Sequence, residues 1–343
     1  MGPVRFGLVG YGEWGQWHGR CINETAGASL VAVAECTEEG RRAAEKCFGV
    51  RTYSSYKELI EEEELDIVDI VLPNYLHYEA AIAALRAGKN VLLEKPMALR
   101  VEECDLILRL ARENRAGKKI PVLAIGFELR SSSLWGRVKE LIQQGTIGIP
   151  RTLNMEIFRF LPEMGSGKWR LNKKKAGSWI LDGPVHYFDL IRWYFQETGE
   201  PQSIYSVANS LRERALIDNF SSIIRFPNES YATLSYTMGG YGHYITAKIM
   251  GNEGAIRAHW EGVGSKTSEP KFYLEYGRNK AKYQVPIERP AGEIFDLKAE
   301  IEQVVRAVRE GSAVIAAGKD GREAVRLCLA AERSLEAGEI IKL

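Results

Sequence analysis

The chain predicts an α/β protein, in which an N-terminal doubly wound parallel sheet is followed by a C-terminal α+β domain. Three observations support this. A strand-like run, Val4 to Val9, passes directly into the glycine-rich turn Gly10-Tyr11-Gly12-Glu13-Trp14-Gly15. Up to Gly145, short apolar runs alternate with helix-like stretches, the pattern of parallel strands joined by crossover helices. Past Gly145, strands with one apolar and one polar face follow each other with few helices between them, which predicts an antiparallel sheet. The length, 343 residues, is too great for one ordinary core and predicts two domains.

Bulk properties exclude several function classes. A formal net charge of +1 argues against a nucleic-acid or membrane partner held by bulk charge. No apolar run is long enough to span a bilayer, and the N-terminus carries neither a signal-peptide nor a myristoylation pattern. The five cysteines are scattered, with no Cys-x-x-Cys pair. They read as free thiols in a reducing cytoplasm, and no metal site is expected.

In the glycine turn, the first glycine permits the tight bend, the second lets backbone approach a pyrophosphate, and the third lets helix and strand pack closely. The phosphates would then lie on the N–H groups that start the following helix. A second strand, Leu30 to Ala34, ends in Glu35, about 20 residues past Gly15, where a dinucleotide's ribose needs an acidic partner. A carboxylate there repels a 2′-phosphate and favours NAD over NADP. Arg41 and Arg42 are near enough in sequence to leave NADP open. Helices are expected over Glu38–Phe48, closed by Gly49, and over Tyr56–Leu65, whose acidic end Glu61–Glu64 reads as a solvated face. Ile67–Leu72 is a buried strand closed by Pro73-Asn74, and a helix from about His77 to Ala87 follows, with Gly88 in the left-handed position.

The run Asn90 to Pro96 organises this half. Val91-Leu92-Leu93 reads as a strand buried on both faces, and it meets Glu94-Lys95 just where Pro96 ends it. Ligands of open α/β sheets bind outside the carboxyl ends of the strands, which makes Lys95 a candidate catalytic group. A helix over Cys104–Asn114, a strand over Val122–Phe127 and a helix over Trp135–Gln144 complete the half. Beyond it, Leu153, Met155 and Ile157 alternate with Thr152, Asn154 and Glu156. Similar strands are expected near 203–210, 217–226, 230–237 and 244–250, and two helices, about 293–310 and 320–336, close the chain.

A second constellation interrupts those strands. Pro184 suits the first turn of a helix, and a helix starting there sets Asp182, His186 and Asp189 on one stripe. Asp182 could equally be a helix cap, and His186 a satisfied core histidine. Chemistry favours function. Removing hydride from an alcohol carbon also requires a base for the hydroxyl proton and a cation for the growing alkoxide. A neutral histidine and a lysine supply both.

At these residues the chain resembles the Gfo/Idh/MocA oxidoreductase family, the glucose–fructose oxidoreductase and inositol dehydrogenase group. The matching residues are the glycine turn followed by His18, Pro73-Asn74 with His77, Glu94-Lys95-Pro96, and Asp182 with His186 and Asp189. The stretch Asp320-Gly321-Arg322-Glu323-Ala324 is similar to the family's last helix. The resemblance implies a Rossmann domain over 1–125 and a substrate-binding and oligomerisation domain over 126–343 with a large open sheet. The last helix is expected to pack back toward the first domain. It further implies cofactor contacts from Gly10, Tyr11, Gly12, Glu13, Trp14, Gly15, Glu35, Pro73, Asn74, His77, Glu94 and Lys95. Lys95, Asp182 and His186 would face the substrate beside the nicotinamide, and the protein would be a homodimer or homotetramer. There are departures. Gly183 follows the aspartate directly and Pro184 takes the family's usual glycine position. Glu35 and Cys36 stand where aspartate and arginine are common, which favours NAD.

The expected activity is hydride transfer between NAD(P) and a hydroxyl or keto carbon of a sugar, cyclitol or related polyol. Two rivals stay open: an NAD-dependent glycoside hydrolase with an internal redox cycle, and a non-catalytic NAD-binding regulator. His18 and His77 are expected to order the cofactor loops, and His243 and His259 to pack. Tyr241 and His243 could line a pocket if Gly239-Gly240 makes a loop. Lys173-Lys174-Lys175, after Trp169-Arg170, is either a solvated loop or a basic lip for an acidic substrate.

Overall fold

The structure, a computed structural model, describes residues 2–113, 121–161, 166–210, 217–264 and 266–343. The chain forms two compact units. The first takes in Met1–Phe127, Ser166–Gly177 and Leu297–Val325. The second takes in Glu128–Gly165, Ser178–Asp296 and Arg326–Leu343.

In the first unit the elements run β1 (Val4–Val9), α1 (Glu13–Glu24), β2 (Ala28–Ala34), α2 (Glu38–Phe48), β3 (Arg51–Tyr53), α3 (Tyr56–Glu62), β4 (Ile67–Ile70), α4 (His77–Arg86), β5 (Asn90–Glu94), α5 (Val101–Glu113) and β6 (Leu123–Gly126). All six strands are parallel, in the order β3-β2-β1-β4-β5-β6. The order reverses between β1 and β4, and a crevice at such a switch point receives the ligand of a doubly wound sheet. β4 and nearly all of β5 are buried, β4 taking the charged Asp69 into the interior with its apolar residues. The core joins Phe6, Leu8, Val33, Ile67 and Leu92 to Leu297, Ile301, Val304 and Val305. Full burial of each such side chain stabilises by about 1.5–3 kcal/mol.

Two expectations need correction here, and one strand, β3, went unread. The helix from Tyr56 stops at Glu62 and not at Leu65: Glu63 is extended and accepts a 2.8 Å bond from the Tyr53 hydroxyl, while Leu65 turns into the core. A Cβ on Gly7 of β1 would lie 2.5 Å from Leu65 Cδ1, so the absence of one makes room for that leucine. β3 carries no apolar run and is held by pairing with Ala32–Ala34 of β2, which is why its residues gave no strand signal. The helix expected from Cys104 begins at Val101, and its expected last residue, Asn114, lies outside the described residues.

The remaining elements are α6 (Trp135–Gln143), β7 (Pro150–Phe158), α7 (Lys173–Ala176), α8 (Trp179–Asp182), α9 (Val185–Tyr194), β8 (Ser203–Asn209), β9 (Asn219–Arg225), β10 (Tyr231–Thr237), β11 (His243–Gly251), β12 (Gly254–Gly262), β13 (Lys271–Arg278), β14 (Ala281–Gln284), α10 (Glu293–Glu310), α11 (Gly318–Ala337) and β15 (Ile341–Lys342). Nine strands form one sheet in the order β14-β13-β12-β11-β7-β10-β9-β8-β15. It is antiparallel except for the central pair, in which β10 runs parallel to β7. Leu153, Met155 and Ile157 are buried and the residues between them face outward, as the alternation predicts. Phe188 of α9 stacks on Phe220 of β9 on the packed face, ring centroids 6.3 Å apart. β12 to β15 went unread; β12 does alternate, with Ile256, Ala258 and Trp260 buried between Arg257 and His259, while β14 is exposed throughout.

Candidate active site

In the first unit the three glycines of the turn do different things. Gly10 has φ 97°, and a Cβ on it would lie 2.2 Å from the Val71 carbonyl oxygen. A Cβ on Gly15 would lie 2.2 Å from the Gly10 carbonyl oxygen, which is the close packing of α1 on β1. A Cβ on Gly12 would meet nothing within 4 Å. The open position is thus the one just before α1, whose first intrahelical donation comes from Gln16 N–H to Gly12. Donors and open space at a helix start fit a dinucleotide pyrophosphate.

Glu35 follows the end of β2, where its carboxylate is held by main-chain donors. Its Oε2 accepts from Tyr11 N–H at 3.0 Å and its Oε1 from Thr37 N–H at 2.9 Å. Burial would raise this carboxyl, but those N–H groups and the Thr37 hydroxyl outweigh it and hold it below the usual range. Arg41 donates to the carbonyls of Glu35 and Cys36 at 2.8 and 2.9 Å, and Arg42 pairs with Glu38. Both cations that could serve a 2′-phosphate are therefore engaged.

Lys95 leaves the carboxyl end of β5, half-buried, beside a buried polar cluster. Glu94 turns its carboxylate inward: Oε1 accepts from the Trp14 indole at 2.9 Å and lies 3.3 Å from His18 Nε2, while Oε2 accepts from Lys95 N–H at 3.1 Å. His18 Nδ1 lies 2.8 Å from Asp69 Oδ2. Burial works against charge on His18, but Asp69 and then Glu94 overcome it and push its pKa up to about 10. Burial likewise opposes charge on Glu94, yet His18 and Lys95 bring its pKa down to about 2. Glu300, buried nearby, is pushed well up by burial and then by the Glu94 charge.

Pro73, Asn74 and His77 stand at the end of β4. Asn74 is buried and donates its amide to the Ala176 carbonyl at 3.0 Å. His77 lies with Nδ1 2.7 Å from the Pro96 carbonyl oxygen and Nε2 2.7 Å from that of Leu72. The lysine run forms α7, one helical turn and not a loop, with Lys175 Nζ 5.3 Å from the centre of the Tyr75 ring.

In the second unit α9 begins just after Gly183 and Pro184, and Asp182 lies before them at the end of a separate short helix, α8, which Ser178 caps. A Cβ on Gly183 would lie 2.9 Å from the Tyr236 hydroxyl, so glycine there lets that hydroxyl approach beside Asp182. His186 Nδ1 lies 3.7 Å from Glu128 Oε2. Asp189 is held by Arg130 in a buried two-point pair, 2.7 Å to Nε and 2.6 Å to Nη2. Tyr187 and Tyr236 keep their protons, because burial pushes both phenols up. His243 packs edge-on to Trp260, and burial takes its pKa down to about 3; His259 stacks on Tyr273. Tyr241 is exposed, beside Tyr244.

Reading the sequence missed Asp69, Glu300, Glu128, Arg130 and Tyr236. Two of these left a signal. Asp69 is a charge inside the apolar run Ile67–Ile70, and Glu300 lies on the apolar stripe of Leu297, Ile301 and Val304. Buried charges are paired or perturbed, and both patterns mark candidate sites.

The comparisons agree with this geometry. Residues 4–118 match a family described as an oxidoreductase family with an NAD-binding Rossmann fold. Residues 135–257 match the GFO/IDH/MocA C-terminal domain. The chain is 28% identical to inositol 2-dehydrogenase 3 of Saccharopolyspora erythraea, over 98% of this chain and 95% of that one. It is 25% identical to myo-inositol 2-dehydrogenase of Thermotoga maritima, over 99% and 98%. Its fold matches that of an aldose-aldose oxidoreductase from Caulobacter crescentus, TM-score 0.85 at 20% identity, over 99% of this chain and 100% of that one. Two family models in tandem, covering well over half the chain, and a glycine turn built for a dinucleotide lead to one assignment: this is an NAD-binding oxidoreductase of the Gfo/Idh/MocA family.

Proposed function

We propose that the chain oxidises a ring hydroxyl of a cyclitol, sugar or related polyol with NAD, or reduces the matching ketone. The observation that carries this is the placement of Lys95, which follows the strand end whose carboxylate is bonded to Trp14 of the glycine turn. The names of the two inositol dehydrogenases support the substrate class. A bound nicotinamide would supply the hydride acceptor. In oxidation His186 would take the hydroxyl proton through a ring nitrogen, and Lys95 would stabilise the oxygen as it gains charge, while the hydride leaves the alcohol carbon. Asp182 orients His186 or binds a neighbouring hydroxyl. Cofactor contacts from Pro73, Asn74 and His77 come through the backbone they fix, since the side chains of Asn74 and His77 are already engaged.

The protein works as a homodimer or homotetramer in the cytoplasm. The outward face of its wide sheet supports the first point: Tyr205, Ile223, Tyr231 and Met250 are exposed there. Five free thiols support the second.

The test is the absorbance of NADH on mixing protein and NAD with a panel of inositols, aldoses and sugar acids. A steady rise with one compound is the expected result. A flat trace with every compound, while NAD binding is intact, overturns the proposal. Release of an aglycone from a glycoside without net NADH would establish the internal-redox hydrolase instead.

A further inference from the structure

We propose that Glu94 is a positioning residue for Lys95, registering it to the same helix start that receives the cofactor; this rests on the role given to Lys95 above. The two oxygens of Glu94 have separate duties. Oε1 is gripped by the Trp14 indole at 2.9 Å and by His18 at 3.3 Å, both on α1. Oε2 holds the main-chain N–H of Lys95 at 3.1 Å. Room for this carboxylate is made at Gly126, where a Cβ would lie 2.8 Å from Oε1. On the other side of Lys95, the Pro96 carbonyl is fixed by His77 Nδ1 at 2.7 Å. The main chain is thus anchored both before and after the lysine.

Stability alone does not call for such a cluster. Replacing a buried ion group by apolar side chains of similar volume is often neutral or stabilising. Here each bond of the Glu94 carboxylate leads either to α1 or to Lys95. The groups facing it from the other elements are Asp69 on β4 and Glu300 on α10. His18, clamped by Asp69, supplies the positive charge that keeps Glu94 ionised, while burial and then the Glu94 charge push Glu300 well up.

The experiment compares Glu94→Gln, Glu94→Asp and Trp14→Phe, and repeats Glu94→Gln in a Lys95→Ala background. The readings are kcat with the panel compound oxidised fastest, Kd for NAD by calorimetry, and Tm. Glu94→Gln should lower kcat about tenfold or more, since small misplacements of a reacting group are costly, with Kd for NAD within about twofold. Trp14→Phe, which removes the indole N–H together with part of the ring, should act in the same direction, and Glu94→Asp should recover part of the loss. In the Lys95→Ala background, Glu94→Gln should lower kcat no further. Full additivity there, or a loss confined to Kd or Tm, overturns the proposal. If Glu94→Gln fails to fold, Trp14→Phe decides: unchanged kcat refutes it. Intact turnover in Lys95→Ala itself would instead refute the role given to Lys95.

Discussion

His18 Nδ1 lies 2.8 Å from Asp69 Oδ2, and neither side chain reaches solvent. The pair lies between α1 and β4, next to the strand end that carries Glu94 and Lys95. A proton on His18 is what lets two carboxylates share that interior.

The first prediction concerns stability and pH. Despite burial, Asp69 and Glu94 raise the folded-state pKa of His18 to about 10. A raised histidine contributes stability that is complete below its unfolded value, near 6.5, and is lost as pH climbs toward the folded one. The urea midpoint should therefore fall between pH 7 and pH 10. Tyrosines also titrate near pH 10, so the comparison with Asp69→Asn isolates the pair. That variant should lose about 3 kcal/mol at pH 7, because one partner stays buried and uncompensated, and should show a flatter decline.

Lys95→Ala and His186→Ala should each lower kcat about 100-fold or more while leaving NAD affinity within a few-fold. Asp189→Asn should do something different. It breaks the buried pair with Arg130, so unfolding free energy should drop by about 3–5 kcal/mol. Turnover per folded molecule should change far less. A kcat collapse in Asp189→Asn with unchanged melting would contradict this division.

Cofactor choice should follow Glu35. Its carboxylate is held by Tyr11 and Thr37, and Arg41 is engaged with carbonyls. Wild-type kcat/KM should favour NAD over NADP. Glu35→Ala should weaken NAD use about tenfold and narrow the preference, since one charge-assisted bond is lost and the repulsion of a 2′-phosphate goes with it. Equal use of both cofactors by the wild type would refute the assignment.

The basic turn α7 offers a test of substrate charge. Changing Lys173, Lys174 and Lys175 together to Gln should raise KM for a sugar acid, and the rise should shrink with added salt. KM for myo-inositol should stay put. Equal shifts for both compounds would return the run to a solvated face.

Much of the Rossmann half was legible because its signals are local. A glycine that must adopt φ 97°, the apolar run Val91-Leu92-Leu93 and an acid about 20 residues past the turn are each written in short stretches of sequence. Elements whose signal is partner-dependent were not legible. β3 pairs on β2, β12 on β11, β13 on β12, β14 on β13 and β15 on β8. The start of α9 after Pro184 was legible from that proline, whereas the short helix α8 before it was not.

By itself, then, the sequence determined the two-part α/β architecture, the dinucleotide turn and the candidate lysine, histidine and aspartate, since backbone geometry and hydrophobic period act over a few residues. Only the tertiary structure decided which charges neutralise one another. Asp69 meets His18 across 51 residues, His18 meets Glu94 across 76, and Asp189 meets Arg130 across 59. Electrostatic partnership depends on distance in space and on exclusion of water, and neither is encoded in the spacing of residues along the chain.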